Sequence, residues 1–265
     1  MKHFQLLFAF LILISLSCKK DKIIGQKQIK CLPITKTAEY HDDTITYIYN
    51  THYQYNSKLQ LDKISIVGND PEIIRNYELI YNDDGSVYEV NVKMEIDDLY
   101  WYKLVLDYNE KNQIISIYKH QMFGETVQWE PINISNHKYP ANNMIISELG
   151  DLFTEPWYKE YYVFDINNNA KTISGYLLDN DNIQFEKSIK YNNYHNPYRN
   201  WNINLNIILG NSLSMNLPKS YVINSYSGIP SGLTYWEASQ DYYKLNEHGY
   251  PISIGDNIQY TYMTY

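Results

Sequence analysis

The stretch Leu79-Ile-Tyr-Asn-Asp-Asp-Gly-Ser-Val-Tyr-Glu-Val-Asn-Val92 decides the fold. Leu79 and Tyr81 stand two apart, a turn follows at Asn82-Asp-Asp-Gly85, and Val90 and Val92 take up the alternation again. Period two on both sides of a turn marks two half-buried strands joined as a hairpin. Asn at the head of the turn can cap it through its side chain, and Gly85 tolerates the left-handed conformation that such a hairpin needs.

The same unit recurs along the chain. Anchored on the Asn, it appears at Asn56, Asn82, Asn109, Asn167, Asn192 and Asn246, with gaps of 26, 27, 58, 25 and 54 residues, the long gaps being near double the short ones. The residues three and one before each anchor are all apolar or aromatic: Tyr53/Tyr55, Leu79/Tyr81, Leu106/Tyr108, Phe164/Ile166, Ile189/Tyr191 and Tyr243/Leu245. Asn112 and Gly249 stand where Gly85 does, whereas Leu59, Ala170 and His195 depart from it and predict turns of other types. Second strands are expected around Ile64/Ile66, Ile115/Ile117 and Ile252/Ile254, and Ile258–Tyr265 reads as a closing strand. Asn136 falls where a further unit is due, but its flanks break the pattern. The chain is therefore expected to be all-β, an antiparallel meander of repeated hairpins with a period of about 27 residues. It should curl into a barrel-like or half-barrel sheet of about 14–16 strands. Ile145–Phe153 allows two helical turns at most, and residues 209–219 with 224–232 read as irregular insertion.

The 265 residues carry a net charge of −8, which argues against a nucleic-acid partner, since neutralising phosphates takes a basic footprint. There are 29 tyrosines and 29 asparagines against seven phenylalanines. AT-rich codons raise Asn and Tyr but would raise Phe as well. A ring with a polar tip suits a strand surface that is apolar at one end and wet at the other.

Met1–Leu16 has a short basic start and an apolar run too brief to span a bilayer, so residues 1–17 read as a signal peptide. Ser15-Leu-Ser-Cys18 followed by Lys-Lys-Asp-Lys22 resembles a bacterial lipoprotein signal with Cys18 as the lipidated residue. Ser15 and Ser17 also suit ordinary signal peptidase, so plain secretion competes with that reading. With Cys18 acylated, Cys31 has no disulfide partner in the chain. Residues 18–36 then form the anchor and a flexible tether, and residues 37–265 a single hairpin-repeat domain. Gln259 and Thr261 interrupt the face of the last strand that lipid would require to be apolar, which argues against insertion as a membrane barrel.

Tyr191-Asn-Asn-Tyr-His-Asn-Pro-Tyr198, Asn216-Leu-Pro-Lys219, Glu247-His-Gly-Tyr-Pro251 and Tyr260-Thr-Tyr262 resemble the Tyr-Asp hairpin repeats of large bacterial wrapping proteins. Joined to a lipoprotein signal, they resemble more closely a family of Bacteroidota lipoproteins of unknown function. That resemblance implies a porin-like, curled antiparallel fold. It implies no activity and carries over no functional residues.

Catalytic signatures are sparse. His41-Asp-Asp43 with His52 lacks a zinc-ligand spacing, and Asp179-Asn-Asp-Asn182 lacks the glycine and glutamate of a calcium loop and reads as a hairpin tip. Neither a nucleophile elbow nor a phosphate loop is present, so no catalytic, metal or cofactor residue is assigned. Trp101, Trp129 and Trp157 follow the repeat at intervals of 28, and Trp236 precedes its anchor by ten residues as Trp157 does. Such indoles fill a core or form a stacking platform for an extended ligand such as a glycan. The leading expectation is a non-enzymatic binding or scaffolding lipoprotein of the outer membrane, on either leaflet. A hydrolase with carboxylates in the barrel mouth and a structural subunit of a surface complex are the rivals.

Overall fold

A computed structural model describes residues 30–41, 45–69, 75–94, 100–123, 126–127, 131–150, 156–179, 181–201, 203–209, 213–226, 232–239 and 241–265. The strands are β1 (Cys31–His41), β2 (Thr46–Tyr55), β3 (Leu61–Gly68), β4 (Arg75–Tyr81), β5 (Val87–Met94), β6 (Tyr100–Tyr108), β7 (Ile114–Phe123), the two-residue β8 (Thr126–Val127) and β9 (Ile132–Ala141). They continue as β10 (Met144–Leu149), β11 (Tyr158–Phe164), β12 (Ala170–Leu177), β13 (Ile183–His195), β14 (Asn216–Ser225), β15 (Gly232–Glu237), β16 (Tyr243–Leu245), β17 (Pro251–Ile254) and β18 (Ile258–Thr264), with one helix, α1 (Ile203–Ile208), between β13 and β14.

All the strands belong to one sheet. Antiparallel pairing steps from β16 through β17 and β18 to β1, then along the chain from β2 to β7. It passes to β9 and runs on to β15. No register is described between β15 and β16, so the sheet is curled but not closed. The eighteen strands exceed the expected 14–16, and the two-residue β8 is too short to carry an alternating signature of its own. β1 begins at Cys31 rather than after residue 36: Cys31, Leu32 and Pro33 are buried and pair with Thr264, Met263 and Tyr262, so the expected tether loses its last six residues to the sheet.

Five hairpins share one turn. The amides of Leu59, Gly85, Asn112, Asn168 and Gly249 each donate to the carbonyl three residues earlier, at Asn56, Asn82, Asn109, Asp165 and Asn246. All five donors have positive φ, between 57° and 86°. Leu59 thus occupies the left-handed position itself (φ 61°), and the turn at Asn56 does not differ in type as its sequence suggests. The side-chain oxygens of Asn56, Asn109, Asp165 and Asn246 accept two further amides each, which holds the turn whatever residue follows. The fourth anchor is therefore Asp165 and not Asn167. Asn136 lies within β9, and the turn of that unit is Asn142-Asn143. Asn192 lies within β13, which runs on into the insertion.

Each tight hairpin resets its alternation with a bulge. Tyr55 pairs with Leu61 while Gln54 pairs with Lys63, and the same skip recurs at Tyr81/Val87, Tyr108/Ile114, Phe164/Ala170 and Leu245/Pro251. Leu61 and Ile64, Val87 and Val90, and Ile114 and Ile117 consequently all point inward although three residues apart, while Ile115 and Ile252 are exposed. The core lies on this inward face around Leu61, Val90, Val92 and Ile114. The outward face carries Ser65–Asn76, Thr37–Asn50 and Ser116–Asn136 hydrogen bonds and the Lys63–Glu78 and Lys138–Glu148 ion pairs. These polar pairs share the outward face with exposed Ile48, Val67, Ile115 and Ile252.

The tyrosine surplus has a structural use. Tyr81 donates its hydroxyl to the Leu61 carbonyl, Tyr108 to Val87, Tyr139 to Ile114 and Tyr191 to Ala170. Tyr243 donates likewise to Pro218, Tyr262 to Pro251 and Tyr55 to Pro33. In each case the acceptor lies beside a bulge of the preceding hairpin, where the ladder is interrupted. Tyr262 opposite Pro33 repeats the hairpin pattern across β18 and β1, so the strands nearest the two ends of the chain meet like a hairpin without its turn. Tyr243 reaches across the gap between β15 and β16 to bond β14.

Within 196–215, the described residues 196–201, 203–209 and 213–215 form a plug on the inward face instead of a tight turn. Trp201 and Leu205 are buried in the core, and Trp201 Nε1 donates to the Tyr55 hydroxyl at 3.3 Å. The Tyr198 hydroxyl meets those of Tyr53 at 3.1 Å and Tyr260 at 3.4 Å. Asn200 donates to the Cys31 carbonyl and Asn204 to that of Asn112, fixing the plug to β1 and to the β6–β7 turn. The stretch Ile145–Phe153, where the sequence allows two helical turns at most, belongs to β10 up to Leu149, and Ile145 and Ser147 alternate inward against Tyr162 and Glu160. Of the expected irregular stretch at 209–219, Asn216–Lys219 belongs to β14.

Candidate functional site

The plug occupies only part of the inward face. Beside it lies a cavity of about 500 Å³ whose lining includes Tyr198, Ile207, Ile208 and Leu209 from the plug. Its sheet walls include Tyr53, Tyr77 and Tyr102 with Ile64, Ile66 and Leu104, and Thr51, Lys36 and Arg75 add polar groups. Lys36, Thr51, Ile66 and Arg75 form a single cross-strand row over β1 to β4, since each is the register partner of the next. Cross-strand partners share a face, so both cations of the row point inward. Burial lowers the Lys36 pKa, and Arg75 Nε is buried with no hydrogen-bond partner among the described residues. No carboxylate is among the lining residues.

Further round the inward face, the Lys119 ammonium, itself buried, sits 5.1 Å from the centre of the Tyr102 ring. His137 bonds Ser147 at 3.0 Å and Ser135 at 3.1 Å, and burial lowers its pKa to about 4, so the ring is neutral. Glu160 accepts a hydrogen bond from Tyr162, and burial raises its carboxyl above the usual range despite the neighbouring Lys187. Lys187 Nζ lies 4.1 Å from the Tyr221 ring centre, and Trp236 stacks on that ring at 5.0 Å with 18° between the planes. Tyr242 meets Trp236 edge-on at 5.3 Å.

Of the four tryptophans read as a platform, Trp236 thus sits in an aromatic stack on the inward side of β15. Trp157 precedes β11, is 54% exposed and touches the ring of Tyr158 at 5.7 Å. No ring contact joins Trp157 to Trp236 among the described residues. Trp101 lies in β6 opposite Lys93 and Met122, its side chain being outside the described residues, as are the whole of Trp129 and of Cys18. Cys31 is a buried free thiol. Asp42 and Asp43 also fall outside, and among the described residues no three metal-ligating side chains come together. The cavity residues Lys36 and Arg75, and the inward-facing Lys119, Glu160 and Lys187 further round the sheet, carry no role in the sequence analysis. A signal was present for Arg75 and Glu160: counting back in twos from Leu79 and Phe164 places a charge on the inward parity.

No family model matches the chain, and no curated protein matches it either. Solved structures do. A porin-like protein from Bacteroides vulgatus ATCC 8482 aligns with a TM-score of 0.53 at 12% identity, over 88% of this chain and 99% of its own. A porin-like protein from Bacteroides uniformis ATCC 8492 aligns at 0.49 and 13% identity, over 86% of this chain and 95% of its own. The fold of this chain is that of the first of these, a porin-like curled antiparallel sheet.

Proposed function

We propose that this protein is a non-enzymatic, lipid-anchored module of the bacterial outer membrane that binds a ligand within its curled sheet. One observation carries the reading: the plug fills part of the inward face with apolar packing and leaves beside it a cavity of about 500 Å³ walled by aromatic rings and polar groups. That size and mixture of lining are typical of small-molecule sites. The lipoprotein-like sequence at Cys18 supports the envelope location, and the polar pairs on the outer face of the sheet support anchoring over insertion. The test follows tryptophan fluorescence and melting temperature of the chain without residues 1–18, which keeps every strand and both core clusters, against envelope and dietary glycans and small organic ligands. A saturable change with a rise in melting temperature supports the reading. A response that persists in Thr51→Trp, where an indole occupies the cavity, contradicts it.

Two observations favour rival readings. β15 lies beside the gap in the sheet and exposes Leu233 and Tyr235, as an edge that receives a protein partner would. A pull-down from envelope extract, compared with the same pull-down by Leu233→Lys, tests it. Glu160, with its raised carboxyl pKa, is the acid a hydrolase would use, and loss of glycan turnover in Glu160→Gln is its test.

A further inference from the structure

We infer that the ligand of this cavity is a small organic anion with an apolar body, its carboxylate or phosphate head held by Lys36 and Arg75. The inference rests on the cavity being the binding site and adds the chemical class. A chain with a net charge of −8 would be expected to line its interior with paired or neutral groups, yet two cations line this cavity and no carboxylate does. Neither Lys36 nor Arg75 has an ion pair or hydrogen bond among the described residues, and Arg75 Nε is shut away from solvent as well. Both side chains are half-buried, Lys36 losing solvation to burial and Arg75 keeping one buried N–H unmatched, and an anionic guest would offset both costs. The cations stand on β1 and β4, three strand spacings or about 14 Å apart along the sheet, each on a long side chain that can converge on one head group. The same cavity is lined by Ile207, Ile208 and Leu209 from the plug, which pack against the core cluster containing Ile64 and Leu104. These aliphatic side chains give a hydrocarbon body a surface to bury against, beside the hydroxyl groups of Thr51, Ser135 and Tyr198 in the same lining.

Calorimetric titration of the chain without residues 1–18 tests this with four ten-carbon probes below their micelle concentrations: decanoate, decyl phosphate, decanol and decyltrimethylammonium. The expected result is that one or both anions bind at least tenfold more tightly than decanol, with no measurable binding of the cation. Preference between decanoate and decyl phosphate identifies the head group. Lys36→Met with Arg75→Met keeps the aliphatic volume and should lower anion affinity at least tenfold while leaving decanol unchanged. Equal affinity for all four probes overturns the inference, as does anion binding unaltered in the double variant. The probe comparison in the unaltered protein needs no variant to fold. Thr51→Trp separates the two levels of the argument: if it abolishes binding of decanol or a glycan that shows no preference for anions, the cavity stands and the anion does not. If it changes no ligand's binding, the cavity itself is not the site.

Discussion

A tyrosine hydroxyl does at this sheet what a further strand bond cannot. Where a bulge interrupts the ladder, a carbonyl is left short of a donor, and the ring from the next hairpin covers it with its edge and bonds it with its tip. Phenylalanine supplies the cover alone, which accounts for the choice of tyrosine at seven of the 29 positions. Tyr81→Phe should therefore cost about 1 kcal/mol in urea unfolding, with no change in the denaturant slope. A variant as stable as the parent would mean water serves the Leu61 carbonyl equally well. Burial also pushes the hydroxyls of Tyr102, Tyr139 and Tyr260 up to about 12 from an ordinary 10. A raised folded pKa means the folded protein resists ionisation that the unfolded chain accepts. The tyrosine contribution to stability should then be fully present below pH 10 and be lost between pH 10 and 12, following tyrosinate absorbance. His137 acts at the other end of the scale: its pKa is lowered to about 4, so stability is complete above the ordinary 6.5 and falls as pH drops from there toward 4. The loss is on the order of 3 kcal/mol, and His137→Gln should flatten that slope in acid melting curves.

Among the elements, the hairpin turns were the most legible and the plug the least. Asn followed by a glycine or asparagine three residues on states its turn chemistry openly, and four of the five tight turns carry Gly or Asn at the left-handed position. Leu59 hid one turn because two amide bonds to the Asn56 side chain stabilise a conformation that leucine disfavours, and the Asp165 turn was hidden because Asn167 offered a competing anchor two residues late. Leu59→Gly relieves that strain and should stabilise the protein by about 1 kcal/mol, measurable as a shift of the urea midpoint. The bulges went unread because they move the apolar pair from a spacing of two to three, as at Leu61 and Ile64, which looks like noise in an alternating pattern. The plug has no period at all. Its buried asparagines read as loop composition, and only their bonds to the Cys31 and Asn112 carbonyls show what they do. Trp201, the tryptophan that falls outside the repeat, is buried in the core at 6% exposure, and Trp201→Ala should cost about 3–5 kcal/mol. The inward charges were legible only by parity, and which of them meet across the curled sheet is a matter of long-range register that no local pattern encodes.

At the scale of the molecule, the meander joins β18 to β1 by the same tyrosine and bulge that join its covalent hairpins. A circular permutant that links Tyr265 to Cys31 through a short turn and opens at Asn142-Asn143 should consequently fold with a melting temperature near that of the parent. Deleting Tyr260–Tyr265, which removes Tyr262 and most of β18, should abolish cooperative unfolding. The gap between β15 and β16 has no such ladder, and there the joint is made by Tyr243 on Pro218 and by the His195 amide on Gly249. A shell bound together in this way, with a plug against part of its inner face, holds an internal space open without a metal or a disulfide among its described residues. The account holds that this space is occupied in the cell. Its most direct test is to purify the protein and its Thr51→Trp variant side by side from native membranes, extract each with organic solvent and compare the small molecules by mass spectrometry. The account predicts one class of amphiphilic anion, close to stoichiometric in the parent and missing from the variant. Identical extracts from the two proteins would contradict it.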